Sequence, residues 1–446
     1  MRIIIAGAGE VGFHLARLLA MESQDIVLLD IDQHRLDYAE SLIDVITIRG
    51  DATSYSVLHE AKVEGADLLI AVTESGDTNF TTSVIGKKLG AKKTVARIRN
   101  MEYLVDKEVL DLRTLGIDEL ISPESLAARE IKRLLREAAF TDSFDFANGK
   151  LSLIGIHLDS NAPVIGKSLI ETAPLNPDLN FLTVAIHRNK ETIIPHGRTV
   201  FEAGDHVYFI SDTEGIDQVL HFSGKIRTAI KNVMILGGSR TGVHAARRLN
   251  KDYNIKLIEI NKEKSFEIAD KLPDVLVING DGTNVELLEE EGISDVDAFV
   301  AVTGNSETNI LSCLVAKNRG VKKTIAMVEN IEYINLSQSI GIDTMINKKL
   351  IAANFIFRYI RRGEVIALTG IHGVDAELLE FKVKEHSRIT KKPIRELKFP
   401  KSAIIGGVVR DGKGYITLGN FQIKPHDRVV VFTLSSSIYD VEEFFR

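Results

Sequence analysis

Ile3-Ile4-Ile5-Ala6-Gly7-Ala8-Gly9-Glu10-Val11-Gly12, completed by Leu28-Leu29-Asp30, is the stretch on which the reading of this chain turns. Four apolar residues run into glycines spaced GxGxxG, which predicts a buried strand, a tight turn and a helix. Gly7 permits the turn out of the strand. Gly9 has no side chain, so a pyrophosphate can approach the backbone. Gly12 lets the helix pack close to the sheet. Free N–H groups at the helix start then face the phosphates. Asp30 stands 23 residues after Gly7, where an acid accepts bonds from ribose hydroxyls. A carboxylate there repels a 2′-phosphate, so NAD(H), ATP or ADP fit better than NADP(H).

Working outward, the whole pattern returns about 230 residues later. Val233-Met234-Ile235-Leu236-Gly237-Gly238-Ser239-Arg240-Thr241-Gly242 restates the opening, and Leu257-Ile258-Glu259 restates Leu28-Leu29-Asp30. Gly50-Asp51-Ala52-Thr53 returns as Gly280-Asp281-Gly282-Thr283, and Ala71-Val72-Thr73 as Ala301-Val302-Thr303. Matches in register indicate duplication: two tandem copies of one unit. Within each copy, short apolar strands alternate with helices, predicting a doubly wound parallel sheet. A smaller α+β domain follows each sheet. The expected boundaries are 1–140 and 229–362 for the Rossmann domains, and 141–228 and 363–446 for the small ones. Ile194 to Asp205 matches Ile416 to Asp427, where both aspartates read as turn residues before a strand.

Ser122-Pro123 predicts a helix start. The helix beyond carries Ala127, Ile131, Leu134, Leu135 and Ala138 on one face. It is either a final Rossmann helix on its own sheet or a helix that packs on a partner or the next domain. Its counterpart carries Ile351, Phe355, Ile356, Tyr359 and Ile360.

In a parallel sheet the ligand crevice lies at the carboxyl ends of the strands. Asp30, Asp51, Thr73, Arg97 and Arg99 all fall there. Asp51 could accept from an adenine amino group or cap a helix before Thr53. Thr73 could bond phosphate or sugar, or serve as an N-cap. Arg97 and Arg99 suit phosphate, because guanidinium meets its oxygens bidentately, unless one of them forms a structural salt bridge.

The 446 residues carry a net charge of −7, which gives no electrostatic reason to bind nucleic acid. No apolar run is long enough to cross a bilayer, and the N-terminus is already a core strand, so no signal peptide is expected. The single cysteine, Cys313, excludes an internal disulfide. Twelve histidines are scattered without a ligand spacing, so no metal site is expected. A dehydrogenase would need a proton donor or base on a substrate domain, and no such motif appears. An NAD-dependent oxidoreductase with a divergent substrate domain is the competing reading. A duplicated scaffold that binds only protein is a third.

Together, the tandem GAGEVG units, the GDAT turn, the AVT strand end with its Thr78-Asn79 pair, and Ala96-Arg97-Ile98-Arg99 resemble the TrkA-type potassium-uptake regulators, built from RCK domains. That resemblance implies a cytoplasmic regulatory subunit with no reaction of its own. It would bind NAD(H), ATP or ADP and gate a TrkH-type membrane potassium channel subunit by rearrangement of a ring. The ring would be a homotetramer at the inner face of the membrane. Gly7, Ala8, Gly9, Glu10, Val11, Gly12, Asp30, Asp51, Ala52, Thr53, Thr73, Glu74, Arg97 and Arg99 would line the first site. Gly237, Gly238, Ser239, Arg240, Thr241, Glu259, Asp281 and Thr303 would line the second.

The two sites are expected to be unequal. Ser239 replaces Gly9, Met327 replaces Arg97 and Glu329 replaces Arg99, while Arg240 in place of Glu10 runs the other way. The first should be the tighter site for exposed phosphates.

Overall fold

The expected strands pair in parallel, and the central ones are apolar on both faces because helices cover both. In a computed structural model, which describes residues 1–20, 24–98, 111–136, 140–147, 149–189, 191–225, 229–330, 333, 340–360, 365–370 and 376–446, the first sheet comprises β1 (Arg2–Ala6), β2 (Asp25–Asp30), β3 (Ile46–Arg49), β4 (Leu68–Ala71), β5 (Lys93–Arg97) and β6 (Glu119–Ile121). Its order is β3-β2-β1-β4-β5-β6. Ile3, Ile4, Ile5 and Ala6 of the central strand are fully buried, which is why this strand reads as an unbroken apolar run. The chain reverses direction across the sheet between β1 and β4, the switch point at which such sheets open a crevice.

Five antiparallel strands follow: β7 (Asp142–Phe146), β8 (Leu151–His157), β9 (Phe181–Arg188), β10 (Glu191–Ile193) and β11 (His206–Ser211), in the order β10-β9-β11-β8-β7. The second half repeats both layers. β12 (Asn232–Leu236), β13 (Asn254–Glu259), β14 (Leu276–Asn279), β15 (Ala298–Ala301), β16 (Lys323–Met327) and β17 (Thr344–Ile346) take the same six-strand order. β18 (Val365–Gly370), β19 (Ala376–Lys382), β20 (Ala403–Arg410), β21 (Lys413–Ile416) and β22 (Arg428–Leu434) form the second small sheet.

The duplicated aspartates of the small domains are turn residues with a further role. Asp205 is fully buried and takes Arg188 bidentately at 2.6 and 2.7 Å; Asp427 takes Arg410 at 2.9 and 2.7 Å. Each also accepts a turn N–H at 2.8 Å, from Glu202 and Lys424. A buried carboxylate needs such a complete set of donors.

The helices that leave the Rossmann sheets are exchanged. The first exit helix, Pro123–Arg136, packs on the helix Arg240–Leu249 of the second unit, where Ala128, Ile131, Leu134 and Leu135 join Val233, Ile235, Ala245, Ala246 and Leu249 in one core. The second exit helix, Lys348–Ile360, packs on Glu10–Ala20 of the first unit. There Ala352, Ala353, Ile356 and Phe357 join Ile3, Ile5, Val11, Leu15 and Leu19, in a core that runs on into Leu379, Phe381 and Val429 of the second small domain. Of the two readings of the apolar exit face, the next-domain one is correct. A buried Leu or Ile contributes about 1.5–3 kcal/mol. The exchange is therefore comparable in size to a domain's whole net stability of about 5–15 kcal/mol.

The two small sheets also face each other. Leu151, Leu153, Tyr208 and Ile210 share a core with Leu378, Val409, Val430 and Phe432. The approach is close at β20: a Cβ on Gly406 would lie 2.0 Å from the end of the Ile210 side chain, which would have to move.

Candidate functional site

Parallel pairing brings Ala6, Asp30, Arg49, Ala71 and Arg97 to one edge of the first sheet, with the Gly7–Gly12 turn above it. Gly7 has a φ of +110°, and a Cβ there would lie 2.8 Å from Thr73 N, so only glycine makes this turn without strain. A Cβ on Gly12 would meet the Gly7 carbonyl oxygen at 1.8 Å; the helix Glu10–Ala20 thus starts directly against the turn. Gly237, with φ +104°, and Gly242 repeat this arrangement.

The acid at the end of β2 is locked to that turn. Asp30 Oδ2 accepts the Ala8 N–H at 2.6 Å and Oδ1 accepts the Asp32 N–H at 2.9 Å. Glu259 does the same in the second unit: Gly238 N–H donates to Oε2 at 3.0 Å and Asn261 N–H to Oε1 at 2.9 Å. Burial works against ionisation of Glu259. The bonds from Asn261, Lys264 and Gly238 outweigh it and hold its carboxyl below the ordinary value. A carboxylate offers about four lone-pair sites, so each acid keeps acceptor capacity toward the crevice.

Other expected residues take structural bonds. Asp51 Oδ1 accepts the Thr53 N–H and hydroxyl, both at 2.8 Å, and these bonds lower its pKa; Asp281 holds Thr283 alike at 2.9 and 2.8 Å. Asp51 is therefore a turn acceptor at an exposed loop, and Ala52 beside it is buried. Thr73 is not an N-cap: Ser75 caps the helix Gly76–Leu89, accepting from Thr78 N–H at 3.2 Å. The Thr73 hydroxyl donates to Asn79 Oδ1 at 2.6 Å, and Asn79 Nδ2 donates to the Thr73 and Arg97 carbonyls at 3.0 and 2.9 Å. Asn79 thus ties β4 to β5 beneath the crevice, and Asn309 ties Thr303 to Met327 in the second unit. Arg97 is half-buried at the end of β5. Arg99 lies outside the described residues. Val11 and Thr241 are buried under their turns, whereas Gly9 is partly open. Ser239, in the place of Gly9, turns its hydroxyl back onto the backbone. Its Oγ donates to the Val302 carbonyl at 2.6 Å and accepts Gly242 N–H at 3.2 Å, capping Arg240–Leu249.

The TrkA-N domain family matches residues 3–123 and 233–348, and the TrkA-C domain family matches 153–224 and 378–446. The Trk system potassium uptake protein TrkA homolog of Archaeoglobus fulgidus is 35% identical over 447 residues, spanning all of both chains. Homolog 1 of Methanosarcina mazei is 33% identical over 459 residues, again over all of both. The chain belongs to the TrkA family. Among solved structures, the GsuK RCK domain shares its fold at a TM-score of 0.61 and 16% identity, covering all of this chain and 94% of the other. The GsuK channel bound to NAD matches at 0.61 and 16%, covering all of this chain and 78% of the other. Among the described residues of this TrkA-family protein, no helix is long and apolar enough to cross a membrane.

Three side chains that the sequence did not single out border the TrkA crevices. Arg35 lies 4.0 Å from Asp30 and 3.1 Å from Glu74, spanning the first crevice from the β2 side to the β4 loop. Lys264 lies 2.9 Å from Glu259 in the second. Lys349, from the exchanged exit helix, pairs with Glu10 and with Glu329. Arg35 and Lys264 each sit in the first turn of the helix after the acid, which is a readable signal. Lys349 has none, because its partner depends on the exchange.

Proposed function

We propose that this protein is a regulatory subunit of a Trk potassium-uptake system that senses an adenine nucleotide at its Rossmann crevices. The observation that carries this is the bond from the glycine turn to the acid ending the second strand, built twice with different side chains. A turn pinned to an acid presents helix N–H groups toward phosphate and a carboxylate toward ribose at a fixed separation. NAD(H), ATP and ADP are the proposed ligands, with Asp30 and Glu259 on the ribose hydroxyls and Arg97 toward phosphate. The GsuK channel, alike in fold, is described bound to NAD and, in another structure, to ADP. The exchanged helices give a route from site to output, because a ligand that moves one Rossmann unit also moves a helix packed on the other.

The proposed partner is a TrkH-type membrane subunit, and the proposed assembly is a homotetramer with its Rossmann units in a ring. Calorimetric titration of the full chain with NADH, NAD, ATP and ADP tests the site. Binding by at least one of them, weakened in Asp30→Ala and stronger than that of its 2′-phosphorylated counterpart where one exists, is the expected result. No binding of any of the four at about 1 mM would remove the reading. Light scattering that returned a monomer at micromolar concentration would remove the ring.

A further inference from the structure

The start of the first phosphate-facing helix carries an acid, Glu10, where a bound polyphosphate would add more negative charge. The structure shows what balances it. Lys349, in the first turn of the second exit helix, is ion-paired with Glu10 and at the same time with Glu329 of the second Rossmann unit. Its place is fixed from its own side: Asn347 Oδ1 accepts the Lys349 N–H at 2.9 Å, and Asn347 Nδ2 donates to the Glu329 carbonyl at 2.7 Å. Lys348 lies 3.6 Å from the other Glu329 oxygen. The Lys349 side chain is 21% exposed, whereas that of Glu10 is 64% exposed. The cation is held and the anion beside it can swing away. Burial lowers the affinity of Lys349 for its proton, but Glu10 and Glu329 more than offset this, so its pKa is raised and it stays charged.

The equivalent place in the other half has the opposite signs. Glu124 occupies the Lys349 position of the first exit helix and is buried, and the helix it faces begins with the exposed Arg240. A structural ion pair alone could use either polarity. The half that retains Arg97 at its strand end is the half that receives a cation from across the exchange.

We propose that Lys349 is a phosphate-recognition residue of the first crevice, supplied by the second Rossmann unit, and that Glu10 is the internal anion a bound polyphosphate replaces. This rests on the reading of the crevice as a nucleotide site. When phosphate takes Glu10's place, Lys349 keeps Glu329, and the ligand becomes linked to the end of β16 in the other unit. A nucleotide with more phosphate charge therefore bridges the two units more strongly, whereas a nucleoside occupies the crevice without bridging them.

The test is calorimetry on the full chain with ATP, ADP, AMP and adenosine, the first-crevice component being the one that Asp30→Ala weakens. Lys349→Gln should weaken ATP about tenfold or more, weaken ADP and AMP progressively less, and leave adenosine unchanged, which also reports an intact crevice. Lys349→Arg should retain ATP affinity, and Glu10→Gln should tighten ATP. If Lys349→Gln keeps the wild-type ratio of ATP to adenosine affinity, or if Glu10→Gln weakens ATP, the proposal is wrong while the nucleotide site stands. If the unmodified chain binds none of the four, both fail.

Discussion

The first crevice joins its glycine turn to a short acid with an alanine between them, Asp30 and Ala8; the second does so with a longer acid and no side chain, Glu259 and Gly238. A Cβ on Gly238 would lie 2.7 Å from the Glu259 carboxylate and 2.4 Å from Ile268. The space that the Ala8 methyl group fills in the first half is thus taken in the second by the Ile268 side chain and the Glu259 carboxylate. What both preserve is the N–H bond from the turn, 2.6 Å in one and 3.0 Å in the other. The substitutions are paired, and they keep the frame of the site. The charges around it are not kept. Glu10 becomes Arg240 and Arg97 becomes Met327, and the exchanged helix brings Lys349 to the first crevice and Glu124 to the second. Duplication gave one frame, and divergence surrounded its two copies with different charges.

The most disruptive way to probe this comparison is to separate the halves. Because each exit helix completes the core of the opposite unit, 1–228 and 229–446 expressed apart would each expose an apolar helix and an uncovered sheet flank. Each half should self-associate or aggregate, and mixing or co-expression should restore a 1:1 species. Two folded monomers at micromolar concentration by light scattering would contradict the exchange. For the same reason the two crevices must be compared within the intact chain.

That comparison is next in size. Asp30→Ala should weaken first-crevice binding of ATP and NADH together by roughly ten- to a hundredfold, the worth of hydrogen bonds to a charged acceptor at about 1.5–3 kcal/mol. Glu259→Ala should lower ATP affinity at the second crevice by a similar factor but from a weaker starting point, since the ribose bonds removed are alike. Equal ATP affinity at the two crevices, measured by calorimetry with each variant weakening one of them, would show that Arg240 compensates for Met327.

A smaller effect, on stability alone, comes from exchanging the paired residues. Gly238→Ala should destabilise the second unit by about 1–3 kcal/mol, typical of overpacking in a filled site, because the new methyl meets Ile268 and the Glu259 carboxylate. Gly238→Ala combined with Glu259→Asp should recover most of it. Thermal unfolding of the single and double variants checks this. A double variant no more stable than the single would mean that Ile268, the other close neighbour, sets the cost.

How much of this was legible beforehand follows from what a pattern encodes. The parallel sheets were, since strands buried on both faces leave continuous apolar runs such as Ile3–Ala6. The apolar face of each exit helix was also legible, but periodicity states that a face is buried and not which sheet buries it. The choice between Thr73 and Ser75 as a cap depends on backbone dihedrals that a run of Thr, Glu and Ser does not declare. Asp51 reads equally as ligand or helix cap, and the sequence does not declare that its Oδ1 instead holds the Thr53 N–H and hydroxyl in a turn. Asp142-Ser143-Phe144-Asp145-Phe146 gives little sign of β7, because it lacks the β-branched residues that mark strands. Lys349 was invisible because its meaning arises only when the second exit helix lies on the first unit.

The finest test of the charge difference uses pH. His244 is half-buried in the helix that follows the second glycine turn, among arginines of its own helix, and the exit-helix exchange sets Glu124 against it. Burial is the main cause that lowers its pKa below the ordinary value; Arg247, Arg248 and Arg240 add to this, and among the described residues Glu124, from the first exit helix, opposes them. A histidine whose folded pKa is depressed binds its proton more readily when unfolded. Its contribution to stability is therefore fully present above the unfolded pKa of about 6.5 and declines as pH falls from there through the folded value. His244→Gln should leave stability near pH 8 almost unchanged and flatten its decline on the acid side. Glu124→Gln, by removing that opposing charge, should steepen that decline, whereas Lys349→Gln at the equivalent place in the other half should not. Urea unfolding at a series of pH values between about 8 and 5 separates these outcomes. If Glu124→Gln and wild type lose stability in parallel on the acid side, the exchanged helix does not set the charge at the second turn.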